Sequence, residues 1–204
     1  MTATQTRLPV LDETGRSALF TAARTVNNFA DTPVSDEELR SIWELARWSP
    51  SAANSQPLRV LFVRTEEGKA RLLPHLAEGN RTKSAQAPVV AVLAHDVDFH
   101  EHMPRVFPMA GESLRDGLAQ DESARVGMSS YSAALQTGVF LLAVRSVGLA
   151  AGPMNGFDHA GLDAEFFAGT NWRSQLVVNI GHPGADPYFD RLPRLELDEV
   201  IAWA

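Results

Sequence analysis

The chain has 204 residues, 45% hydrophobic and 21% charged, enough for one sizeable core. Its net charge of −7 argues against duplex nucleic acid as a partner, because such binders need a basic surface to displace counterions. With no cysteine it has no disulfide, no thiolate nucleophile and no cysteine-based metal site.

The opening stretch MTATQTRLPV has no apolar core of the kind a signal peptide carries. Leu11 to Ala23 predicts a first helix, with Leu11, Ala18, Leu19 and Ala22 toward one face. A second helix begins at the capping box formed by Ser35 and Glu38. It continues with Leu39, Ile42, Trp43 and Ala46 at helical spacing and stops before Pro50. Residues 48–57, WSPSAANSQP, then place small polar side chains between two prolines. The prolines predict a rigid, extended path.

Leu58 to Val63 predicts a strand, and Thr65 to Leu76 a helix weakened by Gly68 and Pro74. Pro88 to Ala94 is apolar throughout, as in a central strand covered on both faces. Residues 98–125 read as polar and irregular. A long helix is predicted from about Ser129 to Ser146, with Gly148 as its C-cap. The apolar run from Tyr131 to Leu149 contains Gln136 and Arg145, so it reads as a buried helix and not a membrane span. Ala151 to Phe157 reads as a loop, Asp158 as the cap of a short helix through Phe167, and Gln175 to Ile180 as a second buried strand. Interleaved helices and strands without a linker predict one domain, 1–204, of α+β or α/β class in a cytoplasmic protein.

Several chemistries are absent. No G-x-G-x-x-G follows a strand, Gly68-Lys69 leads into alanine, and Gly127-Met128-Ser129-Ser130-Tyr131 lacks the second glycine of a nucleophile elbow. His95, His100 and His102, with nearby carboxylates, have the ligand types for a metal but no helix-face spacing. A solvated loop is expected there, and no metal. What remains is a dispersed set of cations and amides: Arg24-Thr25-Val26-Asn27, Asn80 with Lys83, and Arg191-Leu192-Pro193-Arg194. With the 48–57 loop these could hold a phosphate-bearing planar ligand. Arginine forks suit the phosphate, and amides suit a ring edge of mixed donors and acceptors.

These parts, in this order, resemble the nitroreductase-like flavoproteins from about residue 16 to 195. The resemblance rests on Arg-Thr-x-Asn, S-P-S-x-x-N-x-Q-P, Asn-x-x-Lys, Gly-Pro-Met-x-Gly-Phe-Asp and an arginine ahead of Leu-Pro. It implies a three-layer α/β/α sandwich, an intertwined homodimer with FMN at its interface, and NAD(P)H as hydride donor. It also implies site roles. Arg24, Thr25 and Asn27 contact FMN, with Arg24 toward the phosphate or a ring carbonyl. Pro50, Ser51, Ala52 and Asn54 reach the partner's flavin. Asn80 and Lys83 read the ring's polar edge. Pro153, Met154, Asn155 and Gly156 lie beside the reactive atom, and Arg191 holds the phosphate. No catalytic side chain is assigned.

Three positions depart from the common pattern: Asn27 where a basic residue is frequent, Ala52 in place of a second serine, and Leu58 in place of tryptophan. The sequence is most similar to the malonic semialdehyde reductase (3-hydroxypropanoate dehydrogenase) subfamily of pyrimidine utilisation. That implies a small aldehyde acid as acceptor, with Arg105 and Arg115 as candidates for its carboxylate. A general nitro or quinone reductase and a non-catalytic flavin-binding protein are the alternatives.

Overall fold

The computed structural model describes residues 8–204. Its centre is a four-stranded sheet of β1 (Leu58–Val63), β2 (Val89–Asp96), β3 (Ala150–Met154) and β4 (Trp172–Gly181), in spatial order β1-β2-β4-β3 and antiparallel throughout. Every residue of β2 is buried. Its side chains alternate, as strand geometry requires: Val89, Ala91 and Leu93 enter one core, Val90, Val92 and Ala94 the other.

On the first face lie α2 (Asp36–Ala46) and the long α7 (Glu122–Ser146), through Leu39, Ile42, Phe140 and Val144. On the second lie α3 (Glu66–Leu72), α4 (Glu78–Gln86) and α8 (His159–Phe166), through Leu72, Ala87 and Leu162. The result is the expected three-layer sandwich. A bulge where the register shifts beside Leu93 and Ala94 leaves Gln175 of β4 unpaired. Its amide donates to the Ser130 carbonyl of α7 at 3.2 Å.

Local chemistry explains most boundaries. Ser35 and Glu38 form both halves of the capping box that starts α2, and Asp158 caps α8 by accepting from Gly161 N. Gly148, at φ 83°, follows the end of α7 in the left-handed conformation that glycine adopts freely.

Several expectations need correction, four of them in this part of the fold. The first helix is shorter: α1 (Glu13–Arg16) passes into a wide π-type turn at Ser17–Thr21, and neither buries a residue. Residues 98–125 are mostly helical, with a 3₁₀ turn at Phe99–His102, then α5 (Met103–Val106) and α6 (Gly111–Gln120). α6 is short, polar and carries Gly111 and Gly117, which read as breakers; Leu114 and Leu118, one turn apart, are half-buried, and only Gly111 is buried. A Cβ there would lie 2.2 Å from the Met103 carbonyl oxygen, so glycine lets α6 start against α5. Residues 150–154 are a strand, not a loop. β3 lies at the sheet edge beside β4 alone, where Pro153 does not interrupt a two-sided ladder.

The fourth correction concerns the histidines. His95 belongs to β2, and both it and His100 are buried, so no solvated loop begins there. The Ser129 hydroxyl donates to the Asp96 carbonyl at 2.6 Å and faces His95 Nδ1 at 2.9 Å. Burial pushes the His95 imidazole below its ordinary pKa of 6.5, with Arg173 adding to the effect. Among the described residues no three His, Cys, Asp or Glu side chains gather as metal ligands.

Candidate functional site

Residues 24–30 run beside β3 and the segment after β4. Val26 N donates to the Ala151 carbonyl at 3.3 Å, Asn27 N to Pro187 at 2.9 Å and Ala30 N to His182 at 2.9 Å. The approach to β3 is close. A Cβ on Gly152 would stand 2.7 Å from the Val26 carbonyl oxygen, so this glycine lets the two backbones touch.

The returning C-terminal segment carries Arg191 to the same place. Arg191 Nη2 donates to the Thr21 carbonyl at 2.9 Å. Arg24 donates to the Phe189 carbonyl, with its guanidinium 5.6 Å from the Tyr188 ring centroid. Arg24, Thr25, Arg145, Arg191 and Arg194 line one cavity of about 520 Å³, and among the described residues Asp190 is the single carboxylate on its wall. Four guanidinium groups around one acid make a cavity for an anion.

Across β3 a second group forms. Asn80 and Lys83 stand one turn apart on α4. Asn80 Nδ2 donates to the Gly156 carbonyl at 3.0 Å, and Ala77 N donates to the same oxygen at 2.9 Å. The Met154 sulfur lies 3.9 Å from Ser84 Oγ and 4.0 Å from Asn179 Nδ2. Asn179 is fully buried, and its Oδ1 has no hydrogen-bond partner among the described residues. Lys83, half-buried, forms no ion pair among them. Pro153, Met154, Asn155 and Gly156 thus share a neighbourhood with Asn80, while Val26 and Gly152 tie β3 to Arg24, Thr25 and Asn27.

The loop at Pro50, Ser51, Ala52 and Asn54 is elsewhere. It is not extended: Ala52–Asn54 make a 3₁₀ turn, and Ala53, Asn54 and Gln56 have φ of 49°, 54° and 48°. Left-handed backbone at three non-glycine residues costs about 1 kcal/mol or more each, so something must hold it. Ala52 N donates to Ser132 Oγ at 3.2 Å, Gln56 N to Ser51 Oγ at 3.1 Å, and Asn54 Nδ2 to the Val106 carbonyl at 2.7 Å. Leu58 N donates to Gln136 Oε1 at 3.0 Å as the chain enters β1.

Ser132 and Arg145 are thirteen residues apart on one helix, about 20 Å at 1.5 Å per residue. One chain therefore separates this loop from the arginine cavity. Arg105 lines a different cavity, of about 400 Å³, with Gln56, Arg59 and His102. Arg115 is spent on Asp116 at 2.8 Å, which raises its pKa.

The cationic cavity offers donors to a phosphate, and the Asn80–Gly156 group offers amide donors and acceptors to a polar ring. Residues 21–182 match the family described as the Nitroreductase family. The chain belongs to that family.

Among its nitroreductase relatives, a Streptomyces coelicolor protein is 58% identical over 97% of this chain and 97% of its own length. One from Leptothrix cholodnii is 50% identical over 94% and 97%. Both carry the inferred name NADH dehydrogenase/NAD(P)H nitroreductase. Of solved structures, a Streptococcus pneumoniae nitroreductase family protein superposes with a TM-score of 0.80 at 23% identity, covering 91% of this chain and 98% of its own. An Exiguobacterium sibiricum protein, inferred to be a nitroreductase and solved in complex with FMN, gives 0.81 at 21%, covering 98% and 100%. At those identities the fold is what is shared.

Two site residues escaped the sequence reading. Arg145 and Gln136 are the polar interruptions of an apolar run that argued against a membrane span. One lines the cavity, and the other anchors the loop's exit. Among the described residues no helix is long and apolar enough to cross a membrane.

Proposed function

We propose that this nitroreductase-family chain is an NAD(P)H-dependent FMN oxidoreductase, folded as one domain, acting as a homodimer and set in the cytoplasm. The observation that carries the reading is the arginine-lined cavity; the Val26–Gly152 approach on β3 and the Asn80–Gly156 bond just after it support it. When bound, FMN supplies a hydride relay between nicotinamide and acceptor; the protein supplies position and electrostatics.

Arg24, Thr25 and Arg191 hold the phosphate. Arg24 and Arg191 each spend one nitrogen on main-chain carbonyls, which leaves other donors of the five-donor fork for an anion. Asn80 is held by Gly156, and with Lys83 it addresses the polar edge of the ring. The backbone of Pro153 to Gly156 lies along the reacting side, and Asn27 contributes an amide without charge.

Pro50, Ser51, Ala52 and Asn54 come from the partner subunit. The roughly 20 Å of α7 between Ser132 and Arg145 supports this, since the loop does not reach the cavity of its own chain. Exposed apolar side chains on α7 (Tyr131 and Leu135) and after β4 (Leu192, Leu195, Ile201 and Trp203) support a covering partner.

For the acceptor we propose malonic semialdehyde, reduced to 3-hydroxypropanoate, on the subfamily pattern around Arg24, Gly152 and Arg191. The names of the relatives that are 58% and 50% identical favour a second reading, a general nitro or quinone reductase. A panel of acceptors under steady-state NAD(P)H oxidation decides. Stimulation by malonic semialdehyde far above nitrofurans or quinones is expected; the reverse order selects the second reading, and turnover with none would leave a flavin-binding protein.

A further inference from the structure

We infer that Arg145 is a phosphate-binding residue of the same cavity, supplied by the last turn of α7; this rests on the FMN reading above. Four arginines line the cavity, and three of them have partners. Arg24 donates to Phe189 O, Arg191 to Thr21 O, and Arg194 to Leu192 O and Pro193 O at 2.9 and 3.1 Å.

Arg145 differs. Its Nε is buried without a hydrogen-bond partner, and among the described residues no carboxylate lies within ion-pair distance of it. Desolvation of the half-buried side chain is the one cause that lowers its pKa. A cation at a helix C-terminus is favoured by the helix dipole, but an exposed side chain meets that need equally well. The dipole therefore does not explain why this side chain lies along a cavity wall.

A guanidinium that lines a cavity and has no protein acceptor keeps its donors free for a ligand there. Here the acceptor must be an anion small enough to meet several forks at once, and among the described residues Asp190 is the only carboxylate on the wall. A phosphate monoester fits: it offers three oxygens to fork-shaped donors.

Full-length protein stripped of flavin, wild type, Arg145→Met and Arg145→Lys, is titrated with FMN and in parallel with riboflavin, which has the ring but no phosphate. Arg145→Met should weaken FMN on the order of ten- to a hundredfold, the span of a charge-assisted hydrogen bond, and leave riboflavin unchanged. Arg145→Lys should recover part of the loss. Unchanged FMN affinity overturns the inference. So do equal losses for FMN and riboflavin with a lowered melting temperature, which assign Arg145 a packing role. Wild-type protein that binds neither flavin refutes the FMN reading itself, a result separate from a variant that matches a binding wild type.

Discussion

Replacing Gln136 with leucine tests whether α7 fixes the path of the 48–57 loop. Gln136 is 1% exposed and Leu58 2% exposed, and Gln136 Oε1 accepts the Leu58 N–H at 3.0 Å. Leucine has a similar size but accepts nothing, so the N–H at the head of β1 is left buried and unpaired. That costs about 1–3 kcal/mol. For a chain of this length each kcal/mol lowers the melting temperature by about 2–4 °C, so a fall of about 2–12 °C is expected. Thermal unfolding followed by circular dichroism reads it, and amide exchange at Leu58 should quicken. Ser132→Ala is the control. It removes the partner of the Ala52 N–H, a bond that is only part-buried, so the loss should be smaller, about 1 kcal/mol. Equal melting temperatures for wild type and Gln136→Leu, or an equal loss in both variants, would refute the reasoning.

Gly152→Ala should disrupt the join between β3 and residues 24–27, because the added Cβ would stand 2.7 Å from the Val26 carbonyl oxygen. Flavin content should fall with stability, and a fully loaded, wild-type-like variant would show that the backbones have room. His95 sets a pH dependence. Its folded-state pKa lies below 6.5, so the unfolded chain takes up the proton first as pH falls, and stability present above pH 6.5 declines below it. Denaturant unfolding between pH 7.5 and 5 should show that slope in wild type and a shallower one in His95→Asn; identical slopes would remove His95 as the cause. Asn54→Ala should weaken FMN in the partner's site. In mixed dimers one wild-type loop should then restore only the opposite site, and subunits that behave independently would place the loop outside the partner's site.

Much of this was legible in the sequence because local signals carried it. Ser35 with Glu38 marked the start of α2, Asp158 that of α8, and the unbroken apolar run at 88–94 marked a strand buried on both faces. The cations and amides could be named as candidates, since their residue types state their chemistry. What stayed hidden depended on tertiary placement. Gly152 and Pro153 read as loop residues because the sequence does not show that β3 is an edge strand beside Val26. The 98–125 helices were missed because they are short and carry Pro104, Gly111 and Gly117, which read as breakers. Ser51 and Asn54 looked like groups free for a ligand, yet part of their capacity satisfies Gln56 N and the Val106 carbonyl of the loop's own chain. Arg145 was noticed only as an interruption, since burial without a partner is a property of the fold.

The most direct test of the flavin-enzyme reading is to mix purified protein anaerobically with NADPH or NADH and follow the flavin's visible absorbance. Protein that carries or takes up FMN and loses that absorbance within a catalytic turnover, then regains it on adding an acceptor, is the expected result. Protein that takes up no FMN, or holds FMN that neither nicotinamide reduces, would contradict it.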